Sequence, residues 1–401
     1  MTPDAIVAGG LCTGCGACSA VVPAIVMDYS ANGFLRPRAT GPLGADDVES
    51  VNAVCPGIRV ARAGDDEART HPIWGPVVSV HIGHAVDPAL RWAGASGGAL
   101  SAILVSLLEN AEVAHVVETA ASESDPLRNR TLSSRSREDV LAAAGSRYAP
   151  SSPLATIDRY LRQPQRFAFV GKPCDVVALR RLARRDGRVD DKVAVMLSFL
   201  CAGIPSELGS VEILDSLRVA RADVRGFRYR GNGWPGATRV DTASGETRRL
   251  DYDAAWGGVL NRHLQWRCKI CPDGTGEFAD IACGDGWHLD TQGRPDFAER
   301  PGRSLIIART AKGERIVDDA IRRGHLDARP LPIDAIARMQ PFQKKRKSEI
   351  LVRLLAMRTL LQRVPTYTGL GLFEAMRYSP PHKLVQGYLA TLVRLLQRGR
   401  S

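Results

Sequence analysis

Leu11-Cys12-Thr13-Gly14-Cys15-Gly16-Ala17-Cys18 places three cysteines at strict three-residue spacing, and Cys55-Pro56 supplies a fourth thiol further along the chain. Thiolates at this spacing are typical ligands of iron–sulfur clusters. Gly14 and Gly16 suit the sharp turns that aim successive thiolates inward, because glycine adopts positive φ freely. The pattern therefore predicts one 4Fe-4S cluster, with the ligands Cys12, Cys15, Cys18 and Cys55.

Two features of this segment limit the number and kind of metal centres. In ferredoxins with two clusters, a fourth cysteine lies shortly after the third, precedes a proline and ligates the other cluster. Here that position reads Val22-Pro23, so Cys55 is left to complete the first cluster. A four-cysteine zinc site is the alternative, although zinc sites usually present two Cys-x2-Cys pairs.

Length and composition indicate an ordinary globular protein. A chain of 401 residues suits about two to three domains. The longest nearly apolar run, Val193–Ile204, contains Ser198 and is shorter than the roughly 20 residues that a membrane span needs. Met1–Val7 lacks the basic region that starts a secretory signal. Nine cysteines in such a chain favour a reducing compartment, so we expect a cytoplasmic protein.

The positive charge is concentrated at the carboxyl end. Residues 331–401 contain thirteen Lys and Arg against three acidic residues, and so carry nearly all of the formal net charge of +11. Within them, Ile350–Arg363 and Leu384–Arg398 space arginines around a broad apolar face, as amphipathic helices do, and Lys344–Lys347 precedes the first. This distribution predicts that the chain separates chemistry, in its neutral part, from docking, in its basic last segment.

Two structural roles of this tail stay open at the level of sequence. Its helices either pack on the body with solvated basic faces, or make a peripheral contact with the anionic inner face of a membrane. No nucleic acid is expected as a partner, because the segment is rich in leucine and poor in the aromatic residues that stack on bases.

Strand-like and helix-like patterns alternate in the central part of the chain. The predicted elements are strands at 77–82, 113–118, 166–170 and 193–201 and helices at 98–109, 137–144 and 176–184. Such alternation predicts the α/β (α+β) class with a mostly parallel sheet.

The same survey predicts three parts. A ferredoxin-like 4Fe-4S module occupies residues 1–70 and ends in the charged linker Ala63–Thr70. A mixed α/β catalytic domain follows at 71–310, with short strands and glycine-rich turns after residue 210. A basic, amphipathic helical region occupies 311–401.

A second set of cysteines belongs to the predicted catalytic domain. Cys174 and Cys201 each follow a predicted strand, where open α/β sheets place their ligands, and Cys268 and Cys271 form a close pair. Four thiolates could hold a second cluster. The alternative is a pair of buried thiols beside a separate redox or zinc pair, because lone cysteines often serve as small apolar residues. Cys283 is expected to pack in the core.

Three short segments are candidates for binding an anionic cofactor. Gly94-Ala95-Ser96-Gly97-Gly98 leads into a predicted helix, whose first N–H groups and dipole attract phosphate, although a simple N-cap turn would look the same. Gly145-Ser146-Arg147-Tyr148 and Gly171-Lys172-Pro173 each place a cation beside small residues. These cations suit a flavin pyrophosphate, the flavin ring edge or an anionic substrate, and surface ion pairs are the alternative.

Taken together, these motifs resemble the coenzyme F420 hydrogenase/dehydrogenase beta-subunit family over about residues 8–310. The resembling segments are the Cys12–Cys18 triplet, Ala95–Gly98, Gly145–Tyr148, Phe169–Cys174, Cys201, Cys268–Asp273 and Ala279–Asp285. The resemblance implies an iron–sulfur flavoprotein with a cluster on the later cysteines Cys174, Cys201, Cys268 and Cys271. It also implies FAD near Ser96, Gly97 and Gly98 and near the loop that contains Ser146, Arg147 and Tyr148. Lys172 is a further candidate contact of this cofactor, and Lys172 and Arg147 are the candidate catalytic residues.

The resulting hypothesis is a flavin-dependent iron–sulfur oxidoreductase. It would pass electrons between 4Fe-4S clusters, FAD and an organic donor or acceptor, with coenzyme F420 as one candidate. A ferredoxin or another oxidoreductase subunit would be its redox partner, beside a small-molecule substrate. The alternatives are a non-catalytic electron-transfer subunit that docks on a membrane or partner enzyme, and a zinc-binding structural protein.

Overall fold

The computed structural model describes residues 1–62 and 69–398. Its strands are β1 (Ile25–Tyr29), β2 (Leu35–Ala39), β3 (Arg59–Ala61), β4 (Arg69–His71), β5 (Gly75–Val77), β6 (Ser79–Ala85), β7 (His115–Ala121), β8 (Asn129–Ser134), β9 (Phe167–Val170), β10 (Val193–Phe199), β11 (Val224–Arg228), β12 (Thr238–Thr242), β13 (Thr247–Leu250), β14 (Ile281–Asp285), β15 (His288–Leu289), β16 (Pro295–Asp296), β17 (Ser304–Ala308), β18 (Leu326–Pro330) and β19 (Thr366–Thr368).

Helices cover both faces of the sheet and much of the two ends of the chain. They are α1 (Pro3–Ala8), α2 (Ala17–Val21), α3 (Ala45–Val54), α4 (Pro88–Ala93), α5 (Ala99–Glu109), α6 (Arg137–Ala143), α7 (Ile157–Leu161), α8 (Pro173–Ala183), α9 (Arg188–Lys192), α10 (Glu207–Ser216), α11 (Trp266–Lys269), α12 (Ala311–Arg322), α13 (Ile336–Met339), α14 (Pro341–Ser348), α15 (Ile350–Thr359), α16 (Leu372–Met376) and α17 (Pro381–Arg398). Shorter helical turns lie at Pro153–Thr156, Arg221–Asp223, Asp253–Val259, Leu260–His263 and Ile333–Ala335.

Eight of these strands form one mixed sheet in the order β18-β6-β17-β14-β10-β9-β7-β8. The four central strands, β14, β10, β9 and β7, run parallel, and the outer strands on both sides pair antiparallel. The expectation of a mostly parallel sheet is therefore correct for the centre and wrong for the flanks. Parallel neighbours need a crossover, as α8 and α9 provide between β9 and β10, whereas antiparallel β7 and β8 are joined by a short loop.

The predicted strands and helices of the central part are all present, with ends shifted by a few residues. The faces of the sheet are covered by different helices. Ile103 and Leu104 of α5 pack with Val116 and Ile281, whereas Val176 of α8 belongs to a separate apolar cluster with Phe167 and Phe169. Covered on both faces, the parallel strands bring their carboxyl ends to one edge, where ligands bind in sheets of this kind.

The N-terminal module rests on this sheet through α8. Cys12 and Cys15 lie in the loop before α2, Cys18 lies within α2, and Cys55 follows the last residue of α3. Val54 of α3 packs in the same apolar cluster as Val176 of α8. The linker predicted at Ala63–Thr70 lies largely outside the described residues.

The carboxyl-terminal part is helical, as predicted, but it is not separate from the body. β18 pairs with β6, so the large sheet extends past residue 310. Leu354 and Met357 of α15 are buried against the N-terminal module with Leu11. Of the two roles that the sequence left open for the tail, packing on the body is therefore observed, because one face of α15 completes an apolar core. None of the helices within residues 1–62 and 69–398 has both the length and the apolar character needed to cross a bilayer.

Candidate redox site

A deep cavity, here called the central cavity, opens where the parallel strands end. It contains about 1270 Å³ of empty space, including its mouth. Glu118 of β7, Lys172 after β9, Cys201 after β10 and Asp285 of β14 line it.

The start of α5 forms one end of the central cavity. Ala99, Leu100 and Ser101 line the wall, and N–H groups in a first helical turn have no partner inside the helix. Gly98, which precedes them, has a φ of 72°, a conformation that favours glycine. The Ala99 N–H donates to the Ser304 hydroxyl at 3.4 Å, so this end of the cavity favours a negatively charged group through the other N–H groups of the turn and the helix dipole.

Two residues predicted to contact a cofactor, Ser96 and Gly97, instead bond to or pack against the protein's own backbone. The Ser96 hydroxyl donates a hydrogen bond toward the carbonyl oxygens of Gly284, at 3.0 Å, and Arg303, at 3.1 Å. Gly97 does not line the cavity, and a Cβ there would lie 2.7 Å from the Ser304 nitrogen. Gly97 is therefore needed for close packing against β17, so it does not serve as a point of phosphate approach.

The side chain of Arg147 is held by hydrogen bonds within the protein. Its guanidinium donates to Asn129 Oδ1 at 2.8 Å and to the carbonyl oxygens of Pro126, Arg128 and Phe227 at 2.8 to 3.0 Å. Burial lowers its pKa. The residue lines the cavity, yet four of its five N–H donors are engaged. This geometry does not support the catalytic role predicted for Arg147. Its side chain instead connects the loop Gly145–Tyr148 to β11 through hydrogen bonds.

Lys172 is buried at the cavity wall, where it caps α8. Its ammonium group lies 2.7 Å from Asp175 Oδ2 and donates to the Ser151 hydroxyl at 2.7 Å. Burial opposes the charge, but Asp175 and the thiol of Cys174 raise the pKa of Lys172, so the side chain stays protonated. The cation thus lies between the cavity and a cysteine of the second predicted cluster.

Sequence reasoning missed a buried ion pair on the opposite wall. Arg230 donates two hydrogen bonds of 2.9 Å to the carboxylate of Asp285, which also accepts one from Trp234 Nε1 at 2.7 Å. The Arg230 guanidinium also donates to the Tyr148 hydroxyl at 3.3 Å, which places Tyr148 beside this pair. Asp285 could have been identified as a site residue because it is the last residue of a strand. No pattern in the sequence marks Arg230 in this way.

Glu118 is a further residue of the cavity wall that the sequence did not indicate. Its side chain is buried in the cavity wall on β7, and it accepts a hydrogen bond of 2.6 Å from the Ser134 hydroxyl. Burial raises the pKa of Glu118 from 4.5 to about 7, and Asp139 adds to this rise. A carboxyl group with such a pKa can exchange a proton near neutral pH.

The N-terminal thiol set, Cys12, Cys15, Cys18 and Cys55, is brought together as predicted. Burial raises the pKa of Cys15, and Asp175 and the neighbouring thiols of Cys55 and Cys18 raise it further. Nearby backbone N–H groups lower the pKa values of these thiols: that of Ala17 acts on Cys15, that of Ser19 on Cys18, and those of Gly57 and Ile58 on Cys55. Such N–H groups stabilise thiolates and are among the features that set the potential of a cluster.

The sheet-edge thiol set, Cys174, Cys201, Cys268 and Cys271, is assembled from three distant segments. Burial raises the pKa of Cys201 to about 12, and the thiols of Cys268 and Cys271 contribute to the rise. The sulfur of Cys268 accepts hydrogen bonds from the Ile204 N–H and the Gln265 side chain, both at 3.4 Å. Cys201 and Cys174 lie close enough for their charges to interact.

Cations from two segments surround these sulfur atoms. Buried Arg267 donates to the Pro56 carbonyl at 3.0 Å, and its Nε and Nη1 have no hydrogen-bond partner among the described residues. Tyr367 and the thiols of Cys271, Cys174 and Cys268 raise the pKa of Arg267 although burial opposes the charge. Arg346 of α14 donates to the Cys201 carbonyl at 2.9 Å. Part of the basic tail therefore compensates negative charge around thiolates.

The two thiol sets are neighbours. The charges of Cys15 and Cys174 interact directly, and Asp175 lies beside both. Cys283 is buried in the sheet core, as expected, and burial raises its pKa to about 12. Among residues 1–62 and 69–398, no group of three or more His, Cys, Asp or Glu is arranged to hold a single metal ion. The metal centres therefore stay a proposal that depends on the grouping of thiols.

Comparison with known proteins identifies the family. Residues 80–158 match the model of the coenzyme F420 hydrogenase/dehydrogenase beta subunit N-terminal part, and residues 164–334 match that of its C-terminal part. The chain belongs to this family. The resemblance inferred from the motifs is thus confirmed, and both matched regions contribute walls of the central cavity.

Individual relatives agree with this assignment. The chain is 23% identical over 355 residues to one of the subunits of the F(420)H(2) dehydrogenase of Methanosarcina mazei, covering 84% of this chain and 91% of that protein. It is 21% identical to the beta subunit of the coenzyme F420 hydrogenase of Methanothermobacter thermautotrophicus, covering 69% of this chain and 94% of that protein. A chain of the F420-reducing [NiFe] hydrogenase complex from Methanosarcina barkeri has a similar fold, with a TM-score of 0.58, 21% identity and coverage of 73% of this chain and 96% of that one.

Proposed function

We propose that the protein is an iron–sulfur flavoprotein oxidoreductase with FAD in the central cavity and a 4Fe-4S cluster on each thiol set. Family membership supports oxidoreductase chemistry. The finer assignment is supported by a continuous series of groups. Cys201 lines the cavity, Cys174 lies close enough to Cys201 for their charges to interact, and Cys15 lies within the same kind of reach of Cys174. This series is the observation that carries the proposal, because it offers single electrons a path from the cavity to the N-terminal thiol set.

The residues of the cavity fit such a cofactor. FAD would exchange a hydride with an organic molecule and pass the two electrons on singly. The first turn of α5 would hold the pyrophosphate, because its free N–H groups and dipole favour phosphate. Arg147 would keep the Gly145–Tyr148 loop in place through its bonds to three carbonyl groups. Glu118 would hold or release a proton at the wall, since its pKa lies near neutrality.

Coenzyme F420 is the organic partner that we propose first. The relatives in Methanosarcina mazei and Methanothermobacter thermautotrophicus carry this coenzyme, or its reduced form, in their names. A ferredoxin or another oxidoreductase subunit would exchange single electrons at the N-terminal thiol set, which adjoins the surface through partly exposed Cys18 and Cys55.

Anaerobic purification with quantification of metals and flavin tests this proposal. We expect about eight iron and eight sulfide per chain, as two 4Fe-4S clusters require, and about one FAD. Reduced coenzyme F420, NADH and reduced ferredoxin would then be screened as electron donors by the bleaching of the flavin absorbance. Zinc without iron would establish the zinc alternative, and iron without flavin would exclude the catalytic assignment.

A second candidate function is that of an electron-transfer subunit held at a membrane surface. The relatives named above are subunits, and α17 presents an exposed apolar stripe. The stripe consists of Val385, Leu389, Val393 and Leu396, all of them more than half exposed. Exposed Lys383 and Arg394 lie on the same helix, so the surface combines apolar insertion with attraction to anionic headgroups.

Vesicle sedimentation tests this contact. We expect the full chain to sediment with phosphatidylglycerol vesicles and not with phosphatidylcholine vesicles, and Leu389→Glu to abolish sedimentation. Leu355→Glu is the matched control, because Leu355 is equally exposed on α15 but lies outside the stripe. Absence of sedimentation by the unaltered chain would exclude the membrane contact and leave the redox proposal intact.

A further inference from the structure

A second concave site lies on the other side of the large sheet from the central cavity. It contains about 880 Å³ of empty space, including its mouth, and is here called the arginine pocket. Its charged and titratable lining residues are His84, Arg91, His288, Arg300, Arg303, Asp327 and Arg329. Nothing in the proposed redox function uses these side chains.

The alternation of side chains along the strands separates the two sites. Ser304, the first residue of β17, lines the central cavity, whereas the preceding Arg303 lines the arginine pocket. Arg329 of β18 lies opposite Ile82 of β6, and Asp327 lies opposite His84, so these side chains share one face of the sheet. The pocket is therefore a separate site, built on the antiparallel flank of the sheet.

Most of the positive charge in this pocket has no carboxylate partner. Arg91 donates to the Gly302 carbonyl at 3.0 Å, and Arg303 donates to the carbonyls of Gly286 and Trp287 at 2.7 and 2.9 Å. None of the ion pairs found in the described part of the chain involves Arg91, Arg303 or Arg329. Carbonyl bonds orient a guanidinium but leave its full charge in place.

Two acidic residues lie near the pocket against its four arginines. Asp296 pairs with Arg300 at 2.6 Å, whereas Asp327 lies 3.5 Å from His84 Nε2 and its charge also acts on Arg91. Burial lowers the pKa of Arg303, and the charges of Arg329 and Arg300 lower it further. These cations therefore repel one another across the pocket, and a bound anion would remove that repulsion.

We propose that the arginine pocket binds a small molecule with two or more anionic groups, either carboxylates or phosphates. Guanidinium groups bind both through paired N–H donors, and several of them around one concavity fit a polyanion better than a single charge. This proposal does not depend on the flavin or on the clusters.

Calorimetric titration of the full, purified chain with pyrophosphate and with citrate tests the proposal. We expect at least one of the two to bind, with an affinity that falls at high salt. Arg329→Glu should weaken binding by at least about tenfold, because it places a carboxylate where the anion would lie. Arg323→Glu, at an exposed position outside the pocket, should change the affinity less than about twofold.

The outcomes separate the possible ligands and the possible failures. Binding of pyrophosphate alone would identify a phosphorylated ligand, and binding of citrate alone a polycarboxylate. Arg91→Gln gives a second variant, which retains a donor for the Gly302 carbonyl, should Arg329→Glu fail to fold. Failure of both anions to bind the unaltered chain, or equal weakening by Arg329→Glu and Arg323→Glu, would overturn the proposal, while the flavin content would be unaffected.

Discussion

The two thiol sets differ in how the chain builds them. Three sulfur atoms of the N-terminal set come from seven consecutive residues, Cys12–Cys18, and the fourth from the end of α3. The sheet-edge set combines Cys174 at the start of α8, Cys201 after β10, and the pair around α11. The first set is a local structure placed on the sheet, and the second is part of the sheet itself.

This difference separates their expected roles. Removal of a thiol from the N-terminal set leaves the walls of the central cavity in place, because none of its four cysteines lines that cavity. Cys201 is both a wall residue and a member of the sheet-edge set. We therefore expect the sheet-edge set to receive electrons first and the N-terminal set to pass them to a partner.

Replacement of Cys201 by serine is the change with the largest expected effect. It should remove one cluster, lowering iron from about eight to about four per chain, and should stop electron transfer from the flavin to one-electron acceptors. Iron quantification and stopped-flow reduction of an artificial acceptor would measure both. Cys283→Ser is the matched control, because Cys283 also lines the cavity but belongs to neither set. Equal loss of iron in the two variants would argue against the proposed ligands.

Replacement of Cys15 by serine should have a narrower effect. Iron should again fall to about four per chain, but FAD should remain bound and should still be reduced by a two-electron donor. Absorbance and flavin extraction on the same sample would show this. A variant that keeps its iron and loses its flavin would contradict the separation of the N-terminal set from the cavity.

Three of the four thiols of the N-terminal set could be grouped from the sequence because their pattern is local. Cys12, Cys15 and Cys18 carry their meaning in their spacing alone. The large sheet was largely predictable for the same reason, since strands such as 167–170 and helices such as 99–109 follow from periodicity within a few residues. The antiparallel flanks were not predicted, because strand order depends on contacts between distant segments.

Residues that act through distant contacts were missed or misread. Arg346 and Lys347 belong to a basic run that suggested docking, yet Arg346 bonds to the Cys201 carbonyl and buried Lys347 pairs with Glu277. The pairing of Arg230 with Asp285 joins segments 55 residues apart. Gly97 looked like a phosphate contact, but the backbone of β17 occupies the space beside it. In each case the role of the residue is decided by the groups that it contacts, and not by its residue type.

A third variant tests the point where the cavity meets the sheet-edge set. Lys172→Met would leave the buried carboxylate of Asp175 without its cation, and breaking such a pair typically costs about 3–5 kcal/mol of unfolding free energy. Denaturant unfolding of the full chain would measure the loss. The double variant Lys172→Met/Asp175→Asn is the control and should recover most of it. A single variant as stable as the unaltered chain would show that the pair does not support this wall.

Glu118 provides the smallest and most specific test, on the wall opposite the thiols. The pKa of Glu118 in the folded protein, about 7, exceeds its ordinary value of 4.5, so the folded state keeps a proton that the unfolded chain has already lost. Stability therefore decreases as the pH rises from about 4.5 to 7, by at most about 3 kcal/mol for such a shift.

Glu118→Gln should remove this decrease while keeping an acceptor for the Ser134 hydroxyl. Melting temperatures at pH 4 and pH 8 would measure it, with Glu123→Gln, at an exposed position in the loop after β7, as the control. If the unaltered chain and Glu118→Gln lose the same stability over this range, the proton is not held at Glu118. Glu118 would then be excluded as the group that exchanges a proton at this wall of the cavity.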